Sequence, residues 1–295
     1  MSGSRNGIKK TASLRSRQGE GGGARGRLTA EQFEELCRKL RSEQRLWTTR
    51  ELQEYLQERW GVRYSLRQVR RIARRCGLGY RKPYVLDERR PEDAELQLKR
   101  VLRKVVNGLA NKGIAASDVA IGYADESSPQ TRCNRVRYWS YGDCRVRDYH
   151  QKWRCNTFGF YAIRGKSVVR GLVSSRSKDM VEQLTEIREA NVGYKRVIVV
   201  WDNVSSHKTE EVREHAKMIG IELVNLPVYS PDLNPIEYVW KGVRRRIAES
   251  GIIRSREEMV LRIKSAFEEC VKFRSYAKSW IEKFYEPIFK VSLRM

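Results

Sequence analysis

A short apolar run, Val-Ile-Val-Val within Arg196–Trp201, constrains the fold more than any other feature of the sequence. Four β-branched residues in succession predict a strand that is buried inside a sheet. Residues 119–124 form a second apolar run, and an aspartate follows each of the two runs. The sequence therefore predicts a sheet in which each of two central strands ends at an acidic residue.

The patterns around these two strands predict how the sheet is completed. Alternating polar and apolar residues predict antiparallel strands at 135–141 and 157–163, and 167–173 is a further candidate. A short strand at 221–226 lies among segments with helical spacing, which are 178–191, 209–219 and 235–250. Hairpin strands followed by strand–helix–strand units predict an α/β (α+β) fold, a mixed sheet with helices on its faces. The RNase H-like fold has this order of elements.

Three acidic residues occupy positions where such a sheet brings side chains together. Asp125 and Asp202 end the two central strands, and Glu237 lies in the first turn of the helix after residues 231–235. The ends of neighbouring strands converge at the mouth of an open sheet. Carboxylates without a nearby His or Cys cluster suit Mg²⁺ or Mn²⁺, and two such ions can support phosphoryl transfer. Each acid alone also fits a structural role, as a turn residue or at a helix N-terminus.

The first third of the chain predicts a separate DNA-binding domain. Three amphipathic segments each begin with a capping box, formed by Thr29 with Gln32, Thr48 with Glu51 and Ser65 with Gln68. Only residues 61–64 separate the second helix from the third. Two short helices joined by a tight turn that contains glycine are typical of a helix-turn-helix.

The third helix of this domain carries an arginine-rich face. No acid within the helix offsets these charges, and a helix of this kind fits the major groove of DNA. A solvated basic face is the alternative. The segment 77–86 adds aromatic and basic residues and is predicted to form a wing. The residues predicted to contact DNA are Arg67, Arg70, Arg71, Arg74, Arg75, Arg81 and Lys82.

Charge and composition indicate the kind of partner. The chain has 60 Lys and Arg against 36 Asp and Glu, a net charge of +24, which predicts a polyanionic partner such as nucleic acid or an anionic membrane surface. No stretch is long and apolar enough to span a membrane, so we expect a soluble, cytoplasmic protein. We predict a flexible basic tail at 1–27, the winged helix-turn-helix at 28–86, a linker and helix at 87–114 and the catalytic domain with C-terminal helices at 115–295.

The strings around the three acids resemble the mariner-type superfamily of DDE transposases, and within it the prokaryotic insertion-sequence branch. They read Tyr-Ala-Asp-Glu-Ser-Ser at 123–128, Trp-Asp-Asn-Val-Ser-Ser-His at 201–207 and Tyr-Ser-Pro-Asp-Leu-Asn-Pro-Ile-Glu-Tyr-Val-Trp at 229–240. The spacing agrees, since 34 residues separate the second acid from the third. The resemblance covers roughly residues 29–290, and the third string is its most specific part.

The resemblance implies that Asp125, Asp202 and Glu237 are both the catalytic and the metal-binding residues, holding two Mg²⁺ or Mn²⁺ ions. Glu126 lies beside the first acid, but the family pattern favours Asp125. Asn203, His207 and Asn234 are implied as supporting residues, and Asp232 as a residue that shapes the loop before Glu237. The implied partners are double-stranded DNA, as terminal inverted repeats and as a TA target, and a second copy of the chain. Such a protein is expected at the nucleoid, not at a membrane.

Two other interpretations remain open at this point. A domesticated or decayed transposase would act as a DNA-binding regulator without catalysis, although the presence of all three acids argues against it. A structure-selective nuclease on the same fold would explain the acids but not the arginine-rich helix.

Overall fold

The computed structural model describes residues 28–43, 45–81, 83, 85–131, 141, 145, 148–172, 177–203 and 209–290. The chain divides into two compact units, Met1–Tyr84 and Val85–Met295. Several predictions fall outside the described residues: the tail at 1–27, Lys82, His207 and the strand at 135–141 except Tyr141, which is exposed. None of the described helices is long and apolar enough to cross a membrane.

The first unit contains three helices, α1 (Ala30–Ser42), α2 (Thr49–Trp60) and α3 (Leu66–Arg75). All three predicted capping boxes are present, with the N-cap hydroxyl and the Gln or Glu three residues later each accepting a backbone N–H. Gly61 ends α2 with a φ of 67°, a left-handed conformation that glycine adopts without strain. The core of the unit consists of Leu36, Leu40, Leu52, Leu56, Tyr64, Val69 and Cys76.

The second unit is built on one mixed five-stranded sheet. Its strands are β1 (Val119–Ser127), β2 (Thr157–Arg164), β3 (Val168–Gly171), β4 (Arg196–Trp201) and β5 (Ile221–Asn225). Their order across the sheet is β3-β2-β1-β4-β5. β1, β4 and β5 are parallel, whereas β2 is antiparallel to β1 and to β3. The mixed sheet predicted from the sequence is confirmed.

Helices cover both faces of this sheet. They are α4 (Ala94–Asn111), α5 (Ser177–Ala190), α6 (Glu210–Met218), α7 (Ile236–Glu249) and α8 (Arg256–Cys270), followed by short helical segments as far as Phe289. One core lies between the sheet and α4, α7, α8 and the C-terminal segments. The other lies between the sheet and α5 and α6. Side chains along each strand point alternately to the two faces of the sheet. The core that a residue of β1 or β4 joins therefore tells on which face its side chain lies.

The spacing of Leu96, Val101, Leu102, Val105 and Leu109 predicts an amphipathic helix over residues 91–109 with these side chains inside. α4 buries a different face, since Leu96 and Val101 are 53% and 42% exposed, whereas Leu98 is completely buried. Leu98, Leu102 and Leu109 follow the spacing of one helical face and join the core beneath the sheet. Because leucines and valines occur on more than one side of α4, its sequence does not reveal which side packs against the sheet.

Gly159 in β2 offers a test of how tightly α7 packs on the sheet. A Cβ at this position would lie 2.6 Å from Trp240 Cζ2 and 2.9 Å from Phe267 Cε2, whereas one at Gly171 in β3 would meet no atom within 4 Å. We expect Gly159→Ala to lower the free energy of unfolding by about 1–3 kcal/mol through overpacking. Gly171→Ala, the matched control, should change it by less than about 0.5 kcal/mol. Urea unfolding measures both, and equal effects would contradict the packing described here.

Candidate active site

The register of the two central parallel strands places Asp125 beside Asp202. The β1–β4 pairing runs as far as Tyr123 opposite Val200, and two further residues along each chain lead to Asp125 and Asp202. Tyr123 and Val200 both point into the core that contains α7. Side chains two residues apart share a face, so both aspartates lie on the α7 side of the sheet.

Asp125 lies inside its strand, so the prediction that it terminates the strand is wrong. β1 continues to Ser127 because this end pairs antiparallel with β2, with Asp125 opposite Gly159. What ends near Asp125 is the parallel pairing with β4, which stops at Tyr123. Asp125 thus lies where β1 no longer pairs with β4 but still pairs with β2.

Glu237 is brought to this edge of the sheet by a compact turn. Pro231–Leu233 form a single 3₁₀ turn, and the Asn234 carbonyl accepts the backbone N–H of Glu237 at 3.2 Å. Asn234 is buried, and its amide nitrogen donates to the Ala124 carbonyl at 3.5 Å. This contact joins the turn to β1 at the residue directly before Asp125.

The electrostatics of Asp125 reflect the approach of the other two acids. Burial raises the pKa of Asp125 well above its usual range, and the negative charges of Glu237 and Asp202 raise it further. Within the described residues, no group of three or more His, Cys, Asp or Glu side chains is already arranged to hold a metal ion. The three carboxylates therefore interact through their charges without forming a closed set of ligands.

Glu126, the alternative first acid, belongs to the opposite face of β1. Its neighbour Ala124, two residues earlier, packs in the core formed with α5 and α6, whereas Tyr123 packs in the core that contains α7. Glu126 has the smallest effect among the carboxylates that raise the pKa of Asp125. The alternation of the strand therefore favours Asp125 over Glu126 as the partner of Glu237.

Arg244 is a residue of this site that sequence reasoning missed. It lies seven residues after Glu237 on α7, and its guanidinium donates to Ser127 Oγ at 3.1 Å and lies 4.0 Å from Glu237 Oε2. The side chain therefore bridges the end of β1 and the third acid. Seven residues amount to two helical turns, so the spacing of Glu237 and Arg244 was a signal available in the sequence.

The supporting residues after the second acid are only partly described. The side-chain amide of Asn203 donates to the Leu226 carbonyl, and Trp201 Nε1 donates to Asn225 Oδ1 at 3.0 Å. Both bonds tie the chain around Asp202 to the end of β5. His207 lies outside the described residues.

The arginine face of α3 is present in the first unit. Arg67, Arg70, Arg71, Arg74 and Arg75 are all exposed. The guanidinium of Arg75 lies 4.6 Å from the centre of the Phe33 ring on α1, so this arginine also packs within the unit. Arg81 is exposed, and in the described part of 77–86 no residue belongs to a strand.

Repulsion at Asp125 predicts that removing its charge stabilises the metal-free protein. Because its pKa is raised in the folded state, its contribution to stability is full at low pH and is lost as pH rises through the folded pKa. We expect Asp125→Asn to melt at a higher temperature than the wild type at pH 8 without divalent cations, and the difference to shrink as pH falls. Thermal melting from pH 4 to pH 8 measures it.

Asp118, just before β1, supplies the control of opposite sign. A hydrogen bond from Lys195 lowers the pKa of Asp118, so its stabilising contribution is present at neutral pH and is lost as pH falls. Asp118→Asn should therefore give no stabilisation at pH 8. A variant Asp125→Asn that melts no higher than the wild type there would contradict the repulsion inferred at the three acids.

Comparisons with known proteins agree with this architecture. Residues 120–260 match the family model described as DDE superfamily endonuclease, and residues 43–99 match the one described as winged helix-turn helix. The Tcb2 transposase of a transposable element from Caenorhabditis briggsae is 37% identical over 46 residues, which are 16% of this chain and 17% of that protein. The match to this curated relative thus spans less than a fifth of its length.

Solved structures of the Mos1 transposase share the fold. Its mariner paired-end complex with Mg has a TM-score of 0.58 at 18% identity, covering 94% of this chain and 83% of that chain. Its paired-end complex with the left transposon end has a TM-score of 0.53 at 17% identity, covering 90% and 82%. These matches show that the two proteins share a fold. The chain therefore has the fold of a winged helix-turn-helix domain followed by an RNase H-like DDE domain.

Proposed function

We propose that this protein is a DNA transposase of the prokaryotic insertion-sequence branch. Its first unit binds terminal inverted repeats, and its second unit cuts and rejoins DNA in the cytoplasm, at the nucleoid. The observation that carries the proposal is the convergence of Asp125, Asp202 and Glu237 on one face at one edge of the sheet. A chain that also presents five exposed arginines on one helix is suited to bring DNA to such a site.

Asp125, Asp202 and Glu237 would hold the metal. The donor set fits Mg²⁺ or Mn²⁺ because it offers only carboxylate oxygens, and the repulsion at Asp125 is what a divalent cation relieves. When bound, two such ions would supply activation of the nucleophile and stabilisation of the leaving oxygen. Asn234 and Arg244 orient Glu237 toward the two aspartates through their contacts with β1.

The proposed reaction consists of two in-line displacements at phosphorus. In the first, water attacks a phosphodiester at the element end, the P–O3′ bond breaks and a 3′ hydroxyl is released. In the second, that hydroxyl attacks a phosphodiester of a TA target, and a target 3′ oxygen leaves. The two ends must be cut and joined together, so we propose that two copies of the chain act as a dimer on DNA. The paired-end complexes of Mos1 support this part of the proposal.

The three acids predict a loss of cleavage that is separable from DNA binding. Loss of a residue that only supports a metal ligand typically costs 10–100-fold, so Asp202→Ala and Glu237→Ala should each lower the cleavage rate by more than about 100-fold. Binding to terminal-repeat DNA should stay within about twofold, because α3 belongs to the other unit. The assay is cleavage of DNA carrying the element's own ends, in Mg²⁺ and in Mn²⁺.

Asp118→Ala is the matched control, because Asp118 lies before the opposite end of β1 in an exposed pair with Lys195. It should cleave at the wild-type rate. Wild-type cleavage by Asp202→Ala would remove Asp202 from the site. A wild-type protein that binds the ends but never cleaves would favour the non-catalytic regulator, and cleavage without preference for the ends would favour the nuclease.

The arginine face of α3 predicts two kinds of binding defect. Arg67 and Arg71 lie nearer the N-terminus of the helix, where side chains reach bases, so we expect them to include a base reader, whose loss should cost about 1–3 kcal/mol and relax specificity at one position. Loss of Arg74 or Arg75 should weaken binding to every sequence and reduce the salt slope by about one unit. Binding of each Arg→Ala variant to terminal-repeat and random DNA across a salt series separates them.

Arg38 on α1 is exposed in the same unit and serves as the control. Arg38→Ala should bind both DNAs as the wild type does. If the α3 variants also match the wild type at every salt concentration, the arginine face is only a solvated surface.

A further inference from the structure

A largely buried ion pair joins two segments of the second unit that are far apart in sequence. Arg90 Nε and Nη2 donate to the two carboxylate oxygens of Asp232 at 2.9 and 2.8 Å. The Arg90 and Asp232 side chains are only 11% and 20% exposed. Arg90 lies shortly before α4, and Asp232 lies in the 3₁₀ turn before α7. The fork of the guanidinium thus holds one orientation of that turn.

The residue beside Arg90 contacts the same loop. The guanidinium of Arg89 stacks on the ring of Tyr229 at 3.9 Å and donates to its hydroxyl at 3.2 Å. Tyr229 has a φ of 54°, a left-handed conformation that is uncommon for a tyrosine. Two consecutive arginines therefore contact this loop on either side of Ser230, Arg89 at Tyr229 and Arg90 at Asp232.

The loop that the two arginines contact leads directly to Glu237. Asp232 is the middle residue of the turn Pro231–Leu233, the Asn234 N–H donates to the Pro231 carbonyl at 3.0 Å, and the Asn234 carbonyl accepts the Glu237 N–H. An unbroken series of contacts thus runs from the Arg90 guanidinium to the backbone of Glu237. A shift of the turn would move the carboxylate of Glu237 relative to Asp125 and Asp202.

Stability alone is a weak explanation for this pair. A buried ion pair often contributes little to net stability, because removing two charges from water offsets their attraction. A bidentate pair does fix the relative orientation of its two side chains, since both carboxylate oxygens must face the guanidinium. Arg89 forks onto Asp87 in the same way, but that pair joins residues two apart in sequence and is more exposed, at 60% and 32%. Arg170 contacts two separate carboxylates, those of Glu182 and Glu186, with one nitrogen each, at strand β3 and with greater exposure.

We propose that Arg90 is a positioning residue that holds Glu237 in place for metal binding, acting through Asp232 and the turn that follows. The proposal rests on the proposed function, because it assumes that Glu237 is a metal ligand. It assigns a role at the active site to a residue that precedes the predicted RNase H-like domain in sequence.

Metal affinity measured without DNA tests the proposal separately from transposition. We expect Arg90→Ala to weaken Mn²⁺ binding, followed by electron paramagnetic resonance of free Mn²⁺, by about 10–100-fold, as is typical when support of a ligand is lost. The Mg²⁺ concentration at half-maximal cleavage should rise by a similar factor, and binding to terminal-repeat DNA should stay within about twofold. Arg170→Ala is the control and should match the wild type in both metal readouts.

Three further variants keep the test valid if Arg90→Ala folds poorly. Asp232→Asn preserves shape and removes only the charge, so it should show the same loss of Mn²⁺ affinity, and Arg90→Lys, which keeps the charge without the fork, should fall between. The double variant Arg90→Asp with Asp232→Arg should bind Mn²⁺ more tightly than Arg90→Asp alone. Thermal melting identifies the temperature at which all of them are folded.

The outcomes are distinguishable. Wild-type Mn²⁺ affinity in folded Arg90→Ala and Asp232→Asn overturns the inference, even if their melting temperatures fall. Weakened Mn²⁺ binding in both, with rescue by the double variant, supports it. If that pattern appears while the wild type cuts no element end, the role of Arg90 at the metal site is supported and the transposase proposal fails.

Discussion

Three carboxyl groups converging at one edge of a sheet are the constraint on which the second unit depends. Two of them occupy equivalent positions on parallel neighbours, and the third arrives from a helix packed on the same face. Burial, together with the nearby charges of Glu237 and Asp202, raises the pKa of Asp125. Contacts of other residues must therefore hold in place the three backbone segments that carry these acids.

The firm hold comes from packing and from short polar contacts. Trp240 and Phe267 fill the space over Gly159, so α7 lies close on β2 directly opposite Asp125. The helix begins at Ile236, which places Glu237 in the first turn, where the helix dipole favours a negative charge. Arg244 adds a positive charge between Glu237 and the end of β1. Apolar burial thus determines where the helix lies, and the polar contacts determine where its acid lies.

Local signals predicted much of this fold, and long-range contacts account for what they missed. Capping boxes and the Val-Ile-Val-Val run depend only on neighbours in sequence, so α1, α2, α3 and β4 follow from them. The end of β1 depends on its pairing with β2, and the buried side of α4 depends on the surface that the sheet offers, so neither follows from the local sequence. The partnership of Arg90 with Asp232 spans 142 residues and left no periodic pattern to find.

The grip of Arg89 and Arg90 on the loop also limits how such proteins can exchange modules during evolution. A recombination event that joins a new first unit after Arg90 would leave Asp232 without its guanidinium and Tyr229 without its stacking partner. A junction before Asp87 would transfer both arginines together with the second unit. The unit boundary lies between Tyr84 and Val85, so the crossover that preserves the loop falls within a few residues of it. Lineages that exchange the first unit should therefore inherit the Asp-Glu-Arg-Arg segment at 87–90 with the three acids and not with α1, α2 and α3.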